Sequence, residues 1–291
     1  MNANVVQAHQ ESLEDVIRRV GDVSTLPQVA LKVMAVTNDP DSRVADLGVI
    51  VEGDAALATK VLRTVNSAAY AVRGKVTCLQ QAVSYLGFNP VRNLAVALSV
   101  SKIFKTQQQV GKYERKSLWR HLVSVGLCAR LIARRCQVPE FEEAFLAGLL
   151  HDLGIVLEDQ YVHRPFCNVM ESLDSSSSLV ETETQLLGFD HTKIGHRMAK
   201  KWKFPPVVQA AIRHHHASQD YDGEGAVIVQ CVEVANFLCS LEGTSSVGLN
   251  LVKPPREAAG ALKLSREDLK VILLDLEQEA EQNKQLFEVS S

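Results

Sequence analysis

The chain is poor in aromatic residues, which fill 5% of its 291 positions, and nearly balanced in charge, with a formal net of -3. Sparse aromatics are common in helix-rich chains. The charge balance excludes a global basic field for nonspecific nucleic-acid binding. No apolar run reaches the roughly 18 residues that a membrane span needs. Met1 to Gln10 lacks a positive segment followed by an apolar one, so no secretory leader is expected. The six cysteines, Cys78, Cys128, Cys136, Cys167, Cys231 and Cys239, form no CxxC and no paired metal spacing. They read as small buried thiols in a reducing compartment, and the expected location is cytoplasmic. No segment alternates at period two as a strand would, and no repeat is evident.

What is present is helical period throughout an ordinary soluble composition, 46% hydrophobic and 22% charged. Helices are expected over 11–20, 28–37 and 43–52, with a turn at Ser24–Pro27 and a break at Asn38-Asp39-Pro40-Asp41. Asp54 reads as the N-cap of the next helix, Thr77 with Gln80 as a capping box, and Asn89-Pro90 as the opening of a very apolar helix. The polar, glutamine-rich 105–112 separates an N-terminal helical sub-domain, 1–110, from a helical bundle, 111–245; a loop and a final helix, Ser265 to Phe287, fill 246–291. Arg130, Arg134 and Arg135, like Lys200, Lys201 and Lys203, read as solvated faces.

The organising stretch is Leu149-Leu150-His151-Asp152-Leu153-Gly154. Helical steps back from Asp152 give Gly148, Phe145 and Phe141, one buried face, so the carboxylate points inward. Such a charge costs several kcal/mol unless it is paired, hydrogen-bonded or metal-bound. A bland alternative makes His151 its partner and Gly154 the residue just past the helix end. Other helices add inward groups at the same period: His121, His191, either His214 or His215, and Asn236. Singly, each is explicable as a satisfied core residue. Together, imidazole and carboxylate without cysteine suit iron, manganese or zinc.

The order of histidine, His-Asp, histidine and His-His resembles the HD superfamily of metal-dependent phosphohydrolases, including its HD-GYP branch. Over roughly residues 20–240 the chain more closely resembles the HDOD domain, a bacterial signalling relative. The matching fragments are Leu26-Pro27, Val51-Glu52-Gly53-Asp54, Asn66-Ser67, Ala82-Val83-Ser84-Tyr85-Leu86-Gly87 and Leu187-Gly188-Phe189-Asp190-His191. The resemblance implies an all-α fold, an HD-like helical bundle behind an N-terminal helical sub-domain. It also implies a metal set of His121, His151, Asp152, His191, His214, His215 and Asn236, with His151 and Asp152 as catalytic candidates.

Two departures bear on function. Asn236 stands where HD enzymes place a final aspartate, and a neutral carbonyl weakens a divalent site. After His214-His215 the text runs His216-Ala217-Ser218-Gln219-Asp220-Tyr221-Asp222-Gly223, without the Gly-Tyr-Pro signature, so cyclic di-GMP hydrolysis is not carried over. The first reading is therefore a noncatalytic signalling module that binds regulatory proteins or a small ligand. Its rival is a metal-dependent phosphohydrolase acting on a phosphoester or nucleotide, and a third reading is a metal or redox sensor. Lys193 and Arg213 are merely neighbours along the chain, so the sequence offers no positive group for a phosphate.

Overall fold

The computed structural model describes residues 12–22, 26–37, 43–67, 70, 72, 74–106 and 108–288. The turn at Ser24, the break at 38–41 and the segment Met1–Gln10 lie outside them. The front half is helical: α1 (Leu13–Asp22), α2 (Gln28–Thr37), α3 (Val44–Glu52), α4 (Ala55–Val65), α5 (Leu79–Leu86) and α6 (Phe88–Val100). Buried α6 is the spine on which α2, α4 and α5 pack. A two-residue antiparallel ladder, β1 (Gln109–Val110) with β2 (Tyr113–Glu114), follows. Strands that short carry no readable period.

The rear half holds α7 (Arg115–Arg135), α8 (Phe141–Leu150), α9 (Leu153–Tyr161), α10 (His163–Ser172), α11 (Leu179–Leu187), α12 (His191–Lys201), α13 (Pro206–His214) and α14 (Ala226–Leu241). Helices α8 and α14 pack on α7, and α12 packs on α9 and α13. The α7–α8 crossing depends on two glycines: a Cβ on Gly148 would meet Val125 O at 2.8 Å, and one on Gly126 would meet Phe145 O at 2.9 Å. The chain closes with α15 (Arg256–Ala261), α16 (Arg266–Gln282) and α17 (Lys284–Phe287). No helix among the described residues is long and apolar enough to cross a membrane.

The Asp54 cap holds, its side chain accepting the Leu57 N–H. Ser178, Asp190 and Ser265 likewise accept a backbone N–H as N-caps, and Gly188 closes α11 in the left-handed region. Other expectations need correction. Cys78 rather than Thr77 occupies the N-cap position of α5, without a side-chain cap bond, and the Thr77 N–H donates to Gln81 Oε1 at 2.9 Å. Helix α6 starts at Phe88 behind Gly87, so Asn89 lies inside it. The final helix breaks at Asn283. Arg134 and Arg135 are exposed as expected, but the cluster also makes ion pairs: Arg130 reaches Glu279 Oε2 at 2.7 Å and Arg135 pairs with Asp268, which seats α16 on α7.

Candidate metal centre

His151 and Asp152 do not belong to α8, which ends at Leu150; they form the turn into α9. Gly154 is correspondingly the second residue of α9, not a stop signal. Its missing side chain permits contact with α12, since a Cβ there would lie 1.8 Å from His191 O. That approach brings His191, the first residue of α12, beside Asp152. His121 comes from the middle of α7 and His215 from the residue after α13. All four imidazoles are wholly buried, and Asp152 is 1% exposed.

The Asp152 carboxylate divides these imidazoles between its two oxygens. His151 Nε2 lies 3.2 Å and His121 Nε2 3.6 Å from Oδ2. His215 Nε2 lies 3.1 Å and His191 Nε2 3.5 Å from Oδ1. Two ligand groups therefore share one carboxylate: His121, His151 and Asp152 on one side, and Asp152, His191, His215 and His216 on the other. His216, absent from the expected set, places Nε2 3.0 Å from His191 Nε2.

The opposite edge of each ring is held by an oxygen. His121 Nδ1 donates to Thr244 O at 2.7 Å, His151 Nδ1 to Gly148 O at 2.7 Å, and His191 Nδ1 to Glu183 Oε2 at 2.7 Å. His215 Nδ1 sits 3.1 Å from both Ala211 O and Ile212 O. A proton on Nδ1 leaves Nε2 with its lone pair, which is the tautomer that ligates metal. Burial pushes the His121 and His215 pKa values down to about 4, so both rings are neutral near pH 7.

Two of the four rings, His121 and His215, bring no charge to the cluster near pH 7. Burial alone would raise the Asp152 pKa, but His151 and His215 outweigh it and hold the carboxyl well below its usual range. Burial also works against a charged His191, yet Glu183 and Asp152 raise that ring to about 9. Asp152 Oδ1 has no hydrogen-bond partner, and imidazole nitrogens approach one another, His121 to His151 and His191 to His215 at 3.4 Å each. An ionised buried carboxylate needs a positive partner; without metal the proton held by His191 supplies part of it, and a divalent ion would displace that proton and supply more. A divalent metal fits these residues.

The remaining sequence candidates sort as follows. His214 turns away and stacks on Tyr221, ring centroids 5.3 Å apart, because one residue along α13 rotates the side chain by about 100°. Asn236 is buried at 3% exposure and lines a cleft with His215 and His216, its Oδ1 accepting from Ser240 Oγ at 3.5 Å. Lys193 pairs with Asp190 Oδ2 at 2.8 Å, and Arg213 donates to Thr192 Oγ1 at 2.8 Å. Sequence reasoning missed Glu183. Its signal was a glutamate eight residues before His191 across the Gly188 turn.

Comparison with known proteins agrees with this architecture. The HDOD domain family matches residues 23–218. The crystal structure of an HDOD domain protein of unknown function from Geobacter sulfurreducens superposes with a TM-score of 0.76 at 25% identity, covering 96% of this chain and 98% of that one. A Marinobacter aquaeolei VT8 protein assigned to signal transduction gives 0.72 at 27% identity, over 95% of this chain and 60% of that one. An uncharacterized protein of Treponema pallidum strain Nichols is 25% identical over 223 residues, 75% of this chain. The chain spans 42% of that relative's length. With the His-Asp turn, its histidine partners and the match over 23–218 in place, the chain belongs to the HDOD domain family.

Proposed function

We propose that this chain is a divalent-metal-dependent phosphohydrolase within the HDOD family. One observation carries the reading: four buried imidazoles, each with Nδ1 held on an oxygen, aim Nε2 at the two oxygens of Asp152. His121, His151 and Asp152 would hold one ion, and Asp152, His191, His215 and His216 another. Bound there, a metal supplies Lewis acidity toward a phosphoryl oxygen and lowers the pKa of water. The protein's own part is orientation. Thr244 O, Gly148 O and Glu183 fix the rings, and Asp152 supplies the shared negative charge. Imidazole and carboxylate suit iron, manganese or zinc. A centre with a purely structural role needs no access, whereas here a cleft of about 480 Å³ opens onto His215 and His216. The test is hydrolysis of a phosphoester and nucleotide panel with manganese or ferrous iron supplied. Turnover lost in His151→Ala is the expected result; inactivity of metal-loaded protein across the panel would remove the reading.

Asn236 favours a second reading, in which the same centre binds a small ligand or a regulatory protein without turning it over. A neutral amide in place of a carboxylate lowers the charge available to a second ion. Saturable binding without turnover by metal-loaded protein would select this reading.

A further inference from the structure

The cleft beside His215 and His216 is walled by a segment that the family match, ending at 218, does not include. Residues 246–258 form that wall. The segment is tied to the metal centre, because Thr244 O accepts from His121 Nδ1 and Val247, at 2% exposure, anchors it in the core. Half-buried Leu249, Leu251 and Val252 present an apolar surface, and Lys253 and Arg256 stand exposed beside it. Among the described residues neither cation has an ion-pair partner. Across the cleft Asn236 is buried, and its Nδ2 finds no acceptor among the described residues. An apolar wall with a few donors lining the same cleft is the composition of a small-molecule site.

The geometry points to an organic phosphate as the ligand. Its phosphoryl oxygens meet Lys253, Arg256 and the Asn236 amide, and its organic group lies along Leu249, Leu251 and Val252. This rests on the reading above only in that His215 and His216 of the cluster line the same cleft. Two acids also line it. Glu233 accepts the Ser218 N–H at 3.1 Å and burial pushes its carboxyl above the usual range, so it is engaged locally instead of answering the cations. Glu257 is exposed at the rim, where water screens it. The volume of about 480 Å³ lies toward the low end for ligand sites, which favours a small organic group over a dinucleotide.

The experiment is calorimetric titration of the full chain, with manganese present, using phenylphosphonate and inorganic phosphate. Phenylphosphonate cannot be hydrolysed at phosphorus, so binding is read apart from turnover. The expected result is phenylphosphonate binding about tenfold tighter than phosphate. Lys253→Ala/Arg256→Ala should weaken both anions about tenfold, while Leu251→Ser should weaken phenylphosphonate alone. Both cations are exposed, so their variant keeps the fold; Glu257→Ala, also exposed, should tighten both anions. Unchanged affinity in the double variant, or equal affinity for the two anions, overturns the proposal. If the chain proves inactive on every phosphoester yet binds phenylphosphonate through Lys253 and Arg256, the hydrolase reading falls and this one stands.

Discussion

His191 Nδ1 and Glu183 Oε2 lie 2.7 Å apart, both side chains wholly buried, and the same Glu183 oxygen accepts the His191 backbone N–H at 3.0 Å. Glu183 thus fixes the ring and its tautomer together. Replacing it by glutamine keeps the size and removes the charge. The expected outcome is a 10–100-fold loss of metal affinity with the fold retained, the usual cost of losing a partner behind a ligating histidine. Competition with a fluorescent chelator measures it, with far-ultraviolet circular dichroism as the fold control.

Gly154→Ala should disrupt the same region by a different route. The new methyl would collide with His191 O, so α9 and α12 must separate, costing about 3 kcal/mol or more, and metal affinity should fall with stability. Gly48→Ala is the control: nothing lies within 4 Å of the added carbon, and α3 should gain about 0.5–1 kcal/mol. Thermal melts of the two variants should move in opposite directions.

Glu158 gives a pH signature. It is wholly buried, its two oxygens have no hydrogen-bond partner, and burial followed by the charge of Glu183 raises its pKa well above the usual value. In the pH range between the unfolded and folded pKa values the folded state binds the extra proton, so stability falls as pH rises through that range, by at most about 1.4 kcal/mol per pH unit. Glu158→Gln should flatten this fall and melt higher than the parent at neutral pH. Melting temperatures from pH 4 to 9 decide it; parallel curves would contradict the assignment.

Ending the chain at Leu264 removes α16 and α17. Arg130 then loses Glu279, Trp119 Nε1 loses the Leu286 carbonyl it donates to at 2.9 Å, and the cover of α7 is gone. The shortened chain should melt several degrees lower, while light scattering reports an unchanged oligomeric state. A shift in oligomer would make the helix an intermolecular element.

Much of this fold follows from period and caps, which act locally. His121 and His191 sit within or at the start of regular helices, where 3.6-residue spacing assigns a face correctly. Asp152 also points inward, although it lies in a turn and not in α8. The choice between His214 and His215 stayed open because the helix ends there, and His216 escaped because helical phase no longer applies beyond it. Glu183 on α11 meets His191 across the Gly188 turn, and Lys253 and Arg256 line the cleft from an irregular segment and the first residue of α15, arrangements that depend on tertiary contacts no local pattern encodes. The ion pairs of Arg130 and Arg135 were not legible for the same reason: their partners Glu279 and Asp268 lie more than 130 residues away.

The central claim, that the cluster around Asp152 is a metal centre, is tested most directly by elemental mass spectrometry. The protein would be purified without chelator or histidine tag, beside an Asp152→Ala variant. Near-stoichiometric iron, manganese or zinc in the parent, lost in a variant that still folds, is the expected result. A folded parent with no more metal than the variant would contradict the account.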